Sequence, residues 1–149
     1  DIWHSLSLSV PAEPCTIEHL LTEHFGSLSV RDTCENRLCK AVNQREKSDV
    51  LIRAPPVLIV YLKRWEVISH VPFLRRKVPT KVSYETLLSI DTTLPAYHLR
   101  GVVEHRGDAG GGHYISVVRA ADNVWYHCYD ERSPLRVSTA QALGAQAMI

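Results

Sequence analysis

The sequence lacks any apolar run that approaches the roughly 20 residues of a transmembrane helix. Its longest apolar run spans residues 57–62, which is the length of a buried strand. An excess of one charge is also missing, because 17 basic residues face 16 acidic ones and the formal net charge is +1. Since neither a spanning segment nor a strong field is present, we expect no membrane and no nucleic-acid partner.

Cysteine is scarce, with four residues in a chain of 149: Cys15, Cys34, Cys39 and Cys128. This number does not indicate a secreted, disulfide-dense domain, and a chain of this length can build a core without such bridges. We therefore expect reduced thiols and a cytoplasmic or nuclear setting. Because the chain opens on Asp1 rather than Met, we also expect it to belong to a larger parent polypeptide.

Local patterns predict an α+β fold, an antiparallel sheet with a few short helices. Apolar residues at helical spacing predict a helix over residues 16–25, with Thr16 or Cys15 near its N-cap and Gly26 as its stop. Residues 34–48 are polar and without periodicity, which is typical of a loop or an irregular finger. A double proline precedes residues 57–63, which predict a strand buried on both faces.

The second half of the chain alternates between apolar and polar residues more clearly than the first. Residues 78–82 predict a short strand, and residues 84–88 a helical turn. Residues 97–104, 113–119 and 124–129 predict three strands of an antiparallel meander. A short helix capped by Ser138 is predicted to follow.

The sharpest local feature is the run Gly110-Gly111-Gly112-His113-Tyr114. Glycines remove side chains from one wall of a groove, so that a ligand can approach the backbone closely. A histidine held where a loop enters a strand suits proton transfer, or pairing with a thiolate. The same pattern also fits a glycine-rich hairpin followed by an ordinary histidine, and the two interpretations stay open.

A second candidate is Asp130, which follows the predicted strand that begins near Trp125. If this strand pairs with the one led by His113, the carboxylate lies near the imidazole and is placed to orient it, as the third member of a triad does. The simpler interpretation is that Asp130 begins a turn that runs on to Pro134, and on the residues alone this interpretation is favoured.

Cys34 and Cys39 form a third candidate, because two cysteines separated by four residues can share one zinc ion. A structural zinc site normally needs four ligands, and no other cysteine or histidine stands at a convincing spacing. The pair is thus predicted to be an incomplete half-site. No cofactor is expected, and zinc is expected only if its other ligands come from outside this chain.

Taken in order, these segments resemble the ubiquitin-specific protease family over nearly the whole chain. Residues 56–65, PVLIVYLKRW, resemble the family's strand P-x-V-L-x-x-x-L-K-R-F. Residues 97–105 together with Gly111, Gly112, His113 and Tyr114 resemble its histidine box, and Trp125, Tyr126 and Asp130 resemble the end of that box. Cys34 and Cys39 resemble its second pair of zinc ligands, although the spacing is wider. The chain thus corresponds to the C-terminal, histidine-bearing half of the family's domain.

The resemblance implies a thiol-dependent deubiquitinase that cleaves isopeptide bonds after the C-terminal glycine of ubiquitin. It implies that His113 acts as the general base, that Asp130 orients it, and that Gly111, Gly112 and Tyr114 contact the substrate. The implied architecture is the palm and part of the fingers of a papain-like domain. Residues 1–149 would form a single partial domain, with a helix and partial finger in 1–53 and the histidine-box sheet in 54–149.

The sequence departs from the family pattern in three places. No segment like the family's G-N-T-C cysteine box is present, the position of the usual orienting residue holds Tyr129, and residues 146–149 only begin the family's final strand. An alternative function therefore stays open, a catalytically inactive module that binds ubiquitin or scaffolds a larger assembly. Both functions imply ubiquitin or a ubiquitin-like protein as ligand, and a larger parent chain or a partner subunit.

Overall fold

The computed structural model describes residues 5–33, 36, 38–39, 42–70 and 73–149, with the backbone alone for residues 32–33 and 42–45. The helices among these residues are α1 (Ile17–Phe25) and α2 (Thr139–Leu143). The strands, in chain order, are β1 (Leu6–Ser9), β2 (Cys15–Thr16), β3 (Leu28–Thr33), β4 (Val42–Lys47), β5 (Val60–Lys63), β6 (Trp65–His70), β7 (Phe73–Lys77), β8 (Val82–Ser83), β9 (Leu87–Leu88), β10 (Tyr97–His98), β11 (Gly101–Asp108), β12 (Gly111–Arg119), β13 (Trp125–Cys128) and β14 (Leu135–Val137).

The largest sheet in the described part of the chain is an antiparallel meander in the order β11-β12-β13-β14. Gly101 pairs with Val118 across the first two strands, and Ser116 pairs with Cys128 across the next two. The predicted α+β class and the meander are confirmed. The pattern missed β14, because a strand of three residues with two exposed side chains shows no alternation.

Helix α1 supplies much of the core, as its apolar spacing predicts. Its buried residues Ile17, Leu20 and Leu21 pack with residues of β1, β5, β8 and β11 in one cluster. The hydroxyl of Thr16 accepts a 3.2 Å hydrogen bond from the backbone N–H of His19, so Thr16 is the N-cap. Ser138 caps α2 in the same way, with Gln141 completing a capping box. No helix among the described residues is long and apolar enough to cross a membrane.

Three local predictions are wrong. Residues 42–47 form β4, antiparallel to β3, where a loop or an irregular finger was expected; the loop is wrong, because a two-stranded hairpin needs no apolar alternation, and the finger stays a prediction. Within residues 84–88, expected as a helical turn, Leu87 and Leu88 form β9, because β10 offers them a backbone partner. The strand expected over residues 57–63 begins only at Val60. The residues before it are not buried on both faces, since Val57 is 73% exposed.

Two parallel pairings link distant parts of the chain. Strand β1 pairs with β5, and β2 pairs with β8. Of the strand predicted over residues 78–82, only Val82 lies in an observed strand, β8. On its other edge, β5 contacts the last residues of the chain, because the N–H of Leu62 donates a 2.8 Å hydrogen bond to the carbonyl of Met148. These long-range contacts join the N-terminal helix, the central strand and the meander around one core.

The fully buried Arg64, directly after β5, links β5 by hydrogen bonds to residues 78–80 and to the end of the chain. Its Nε donates to the carbonyl of Ala147 at 2.6 Å, and its Nη1 donates to the carbonyls of Thr80 at 2.6 Å and Val78 at 3.2 Å. Burial lowers the pKa of the guanidinium from its ordinary value. Carbonyl dipoles compensate the cation at Nε and Nη1, whereas Nη2 is buried without a hydrogen-bond partner among the described residues.

Candidate active site

His113 lies near the start of β12, directly after the tight hairpin that joins β11 to β12. At the tip, Asp108 pairs with Gly111, and Asp108 Oδ1 accepts a 2.8 Å hydrogen bond from the N–H of Gly110. Gly107 has a φ of 135°, and a Cβ there would lie 2.4 Å from the carbonyl oxygen of Gly111. The glycines therefore allow a hairpin that a side chain would obstruct, and this hairpin holds His113 opposite Arg106.

The structure brings His113 and Asp130 together. Nε2 of His113 lies 3.1 Å from Oδ1 of Asp130, and both side chains are partly exposed. The ring nitrogen is not aligned as a donor to the carboxylate, so the buried Nε2 has the distance but not the angle of a hydrogen bond. With Nε2 turned to the acid, Nδ1 is the ring nitrogen left to face a reacting group.

A left-handed backbone conformation at Asp130 helps to place its carboxylate. Strand β13 ends at Cys128, and Asp130 follows in a turn with a φ of 48°, which aspartate tolerates better than most residues. The N–H of Arg132 donates a 3.1 Å hydrogen bond to the carbonyl of Tyr129 and closes this turn. Asp130 therefore begins a turn, as the simpler interpretation of the sequence predicts, and its carboxylate also lies close to the imidazole.

Tyr129 packs against the histidine instead of hydrogen bonding to it. The ring centroids of Tyr129 and His113 are 4.5 Å apart at an interplanar angle of 40°, and the guanidinium carbon of Arg132 lies 4.6 Å from the Tyr129 centroid. Such contacts restrict the imidazole without competing for its nitrogens. Sequence reasoning assigned no role to Arg132. Its position three residues after an aromatic side chain in a turn was the available signal.

The predicted substrate contacts Gly111, Gly112 and Tyr114 are all exposed, but the space around their backbone differs. A Cβ on Gly112 would lie 2.4 Å from both the carbonyl oxygen of Arg106 and Nε2 of His105, so this glycine permits close packing inside the sheet. A Cβ on Gly111 would meet nothing within 4 Å, so that backbone borders open space. Tyr114 is 56% exposed. Gly111 and Tyr114 are therefore the predicted contacts that a ligand can reach most directly.

The buried histidine His105 packs against Tyr114, one of the predicted substrate contacts. His105 is 5% exposed and its ring lies between those of Trp65, at 5.4 Å, and Tyr114, at 4.7 Å. Its Nδ1 is buried without a hydrogen-bond partner in the described part of the chain. The Nζ of Lys77 donates to the carbonyl of His105, and burial lowers the pKa of that ammonium. The β6–β7 hairpin, which carries Trp65 and Lys77, is thus anchored beside the glycine-rich hairpin.

The described cysteines lie in three separate environments. Cys15 packs at the edge of the core, and burial raises the pKa of its thiol. Cys39 is exposed, and Sγ of Cys128 lies 3.9 Å from the carbonyl oxygen of Tyr126. None of these three thiols has a hydrogen bond or ion pair with His113 within the described residues. Cys34 lies outside the described residues, so the predicted half-site at Cys34 and Cys39 stays a prediction.

A metal site is not assembled within the described ranges either. Those residues contain no cluster of three or more histidine, cysteine, aspartate or glutamate side chains that could hold a metal ion. The site as described therefore consists of an imidazole, a carboxylate and a packed aromatic ring beside a glycine-rich edge. Such an arrangement can accept, hold and return a proton.

The profile of the family described as ubiquitin carboxyl-terminal hydrolase matches residues 4–147. The chain belongs to this family. Ubiquitin carboxyl-terminal hydrolase 15 of Homo sapiens is 31% identical over 124 residues, covering 78% of this chain and 12% of that protein. Ubiquitin carboxyl-terminal hydrolase 20 of Arabidopsis thaliana is 29% identical over 160 residues, covering 97% of this chain and 22% of that protein. The family membership predicted from the motifs is confirmed.

Solved structures of SAGA DUB modules share the fold. The SAGA Ubp8/Sgf11/Sus1/Sgf73 DUB module bound to ubiquitin aldehyde matches with a TM-score of 0.85 at 21% identity, over 98% of this chain and 34% of that chain. The yeast SAGA DUB module with a mutant Sgf73 matches with a TM-score of 0.85 at 24% identity, again over 98% of this chain and 34% of that chain. The chain thus spans about a third of these solved chains.

Proposed function

We propose that this chain forms the histidine-bearing half of a thiol-dependent deubiquitinase, which cleaves isopeptide bonds after the C-terminal glycine of ubiquitin. In this proposal His113 is the general base, Asp130 orients it, and a cysteine on a larger parent chain or a partner subunit is the nucleophile. The observation that carries the proposal is the 3.1 Å separation between Nε2 of His113 and Oδ1 of Asp130, in a chain of this family.

The geometry of the imidazole supports a base that acts through Nδ1. A carboxylate beside Nε2 favours the tautomer with the proton on Nε2 and stabilises the imidazolium that forms during reaction. Nδ1 then takes the thiol proton, the thiolate attacks the isopeptide carbonyl, and the imidazolium returns the proton to the departing lysine amine. Water, deprotonated by His113, hydrolyses the resulting thioester and releases the carboxylate of ubiquitin.

The surroundings of His113 support a slim, extended substrate tail. Gly111 presents backbone to open space, and Tyr114, which follows His113 on β12, is exposed. The adjacent β6–β7 hairpin exposes the apolar side chains of Ile68 and Phe73, which are 55% and 56% exposed. Exposed apolar patches of this kind mark protein interaction sites. We therefore place the body of ubiquitin against this hairpin and its Gly-Gly terminus along Gly111.

An inactive module that binds ubiquitin or scaffolds an assembly is the second candidate. It is favoured because none of Cys15, Cys39 and Cys128 has a hydrogen bond or ion pair with His113 within the described residues. Tyr129 at the position of the usual orienting residue also favours it. Both candidates share the ubiquitin surface. They differ in whether hydrolysis occurs once a cysteine-bearing polypeptide is present.

The deciding experiment measures release of a fluorogenic amide from the C-terminus of ubiquitin by the longer polypeptide or complex that contains both this chain and the cysteine. His113→Ala is expected to lower kcat by roughly 10²- to 10⁴-fold, the range for removal of a general base. Asp130→Ala is expected to cause a smaller loss. His98→Ala, an exposed histidine on β10, is the matched control and should leave kcat unchanged.

A second measurement locates the nucleophile. The chain alone is incubated with ubiquitin that carries a C-terminal thiol-trapping warhead, followed by intact mass and peptide mapping. We expect reversible binding without an adduct, because none of the described thiols has a hydrogen bond or ion pair with His113 within the described residues. An adduct on a cysteine of this chain would show that the nucleophile is internal. Binding without hydrolysis in the complete assembly would favour the inactive module.

A further inference from the structure

Ser133 lies in the turn between β13 and β14, three positions after Asp130. In the whole sequence it is the only serine or threonine that is directly followed by a proline, Pro134, and a basic residue, Arg136, stands at the third position after it. Protein kinases select their substrates by such patterns of charge and side-chain shape. The pattern S-P-x-R is the one that proline-directed kinases favour.

The structure leaves Ser133 open to an enzyme. Ser133, Pro134 and Arg136 are exposed, and Leu135 between them is 66% exposed. Ser133 lies outside the helices and strands, and its backbone and hydroxyl form no hydrogen bond with the residues that the structure describes. Because a proline disfavours helical backbone at the residue before it, Ser133 is also biased toward the extended form that fits a kinase cleft.

The residue before Ser133 connects it to the candidate active site. The guanidinium carbon of Arg132 lies 4.6 Å from the centroid of the Tyr129 ring, and that ring lies 4.5 Å from the ring of His113. Arg132 is exposed, and it has no ion pair with a carboxylate in the described part of the chain. Its cation is therefore available to a new anion placed at the next residue.

We propose that Ser133 is a phosphorylation site for a proline-directed kinase, and that its phosphate draws Arg132 away from Tyr129. The kinase's base takes the hydroxyl proton of Ser133, Oγ bonds to the γ-phosphorus of ATP, and the bond from that phosphorus to the bridging oxygen breaks and releases ADP. The phosphate carries about −1.5 to −2 charges at pH 7 and pairs with arginine. Such charge-assisted hydrogen bonds are roughly twice as strong as neutral ones.

Phosphorylation also changes the charge of the turn. Residues 129–136 contain two acidic residues, Asp130 and Glu131, and two basic residues, Arg132 and Arg136, so their formal charges balance. The phosphate makes this turn negative and removes Arg132 from the ring that packs on the imidazole. The consequence for catalysis rests on the proposed function: ubiquitin cleavage is expected to fall about two- to fivefold, the loss for an exposed cation–π contact.

The first measurement needs no ubiquitin. The longer polypeptide or complex that contains this chain is incubated with a cyclin-dependent kinase and ATP, and peptide mapping locates the phosphate. We expect phosphate on Ser133, incorporated roughly tenfold more slowly in Pro134→Ala. Ser48→Ala is the control, since it removes an exposed serine that no proline follows, and should leave the rate at Ser133 unchanged. An unmodified Ser133, or equal rates for the parent and Pro134→Ala, would overturn the proposal.

A spectroscopic measurement follows the Arg132 contact without measuring cleavage. With ¹³C-labelled tyrosine rings, phosphorylation should shift the resonance of Tyr129, which Tyr129→Phe assigns. Arg132→Gln should abolish this shift, because it removes the cation that leaves the ring. Arg136→Gln, phosphorylated to the same extent, is the matched control and should retain the shift. A resonance that does not move, or a shift that persists in Arg132→Gln, would contradict the pairing.

Cleavage of fluorogenic ubiquitin tests the effect on the candidate site. Phosphorylation should lower kcat/KM about two- to fivefold, and Arg132→Gln should show the same loss without the kinase. Ser133→Ala should keep the parent rate and should not respond to the kinase. Phosphate on Ser133 with unchanged cleavage would overturn the regulatory role. Absence of all cleavage would contradict the proposed function alone, since the mapping and the tyrosine resonance still decide the phosphorylation site.

Discussion

The ring of Tyr129 packs against the ring of His113 with their centroids 4.5 Å apart, while the next residue, Asp130, places a carboxylate oxygen 3.1 Å from Nε2 of the same histidine. Two consecutive residues thus contact one imidazole in different ways, one at its face and one at its edge. The left-handed turn at Asp130 makes this possible, because it redirects the chain directly after Tyr129.

Packing by Tyr129 is expected to contribute to activity through its ring and not through its hydroxyl. In the cysteine-bearing assembly, Tyr129→Phe should retain the rate of ubiquitin cleavage. Tyr129→Ala should lose up to about tenfold, because an aromatic pair is worth roughly 0.5–1.5 kcal/mol. Steady-state kinetics with fluorogenic ubiquitin measures both, and Tyr126→Phe on the preceding strand is the control. Equal rates for Tyr129→Ala and the parent would exclude this packing role.

Gly112 is expected to be a stability determinant of the glycine-rich hairpin. Gly112→Ala would place a methyl group 2.4 Å from the carbonyl oxygen of Arg106, so we expect a loss of about 1–3 kcal/mol in the free energy of unfolding. Gly110→Ala is the matched control, because its nearest neighbour, at 3.3 Å, is the movable carboxylate of Asp108. Urea unfolding followed by tryptophan fluorescence compares them, and equal midpoints would contradict the prediction.

Arg64 is expected to hold the junction between β5 and the end of the chain. Arg64→Leu leaves the carbonyls of Ala147, Val78 and Thr80 without this donor, at about 1–3 kcal/mol for each buried group left unsatisfied. The exposed Arg53 provides the control, since Arg53→Leu should change stability by less than about 0.5 kcal/mol. Thermal and urea unfolding report both values. A similar small effect for the two variants would refute the role.

Tyr84 predicts a pH dependence of stability. Burial raises the pKa of its hydroxyl to about 12, and the hydroxyl donates to the carbonyl of Ala145 at 2.8 Å. Because the folded pKa lies above the unfolded value near 10, the contribution is fully present below about pH 10 and is lost as the pH rises through about 12. Tyr84→Phe should therefore show a shallower decline in the free energy of unfolding between these values. Parallel curves for the two proteins would contradict this assignment.

The sequence predicts the elements whose signals are local. Thr16, the apolar spacing of α1 and Gly26 define the first helix, and alternation defines the strands of the meander. Short strands such as β9 and β14 escape detection, because two or three residues give no period and their backbone partners decide their conformation. The parallel pairing of β1 with β5 depends on contacts between distant segments, which no local pattern encodes.

In the candidate site, too, some features could be predicted from the sequence and others could not. The proximity of His113 and Asp130 follows from the register of two adjacent strands, which the turn between them largely sets. The contact between Tyr129 and the imidazole depends on the backbone angle of the following residue, and sequence alone does not determine that angle. The support that His105 gives to Gly112 and Tyr114 depends on side-chain packing across the sheet, and was likewise beyond reach.

The central proposal is that the Asp130 carboxylate, 3.1 Å from Nε2 of His113, favours the neutral tautomer with its proton on Nε2 and leaves Nδ1 for a thiol. The most direct measurement is the pair of ring ¹⁵N chemical shifts of His113 at alkaline pH, where the ring is neutral, in the parent chain and in Asp130→Ala. The account predicts a proton located on Nε2 in the parent and a redistribution between the nitrogens in the variant. A proton on Nδ1 in the parent, or identical shifts in both proteins, would contradict it.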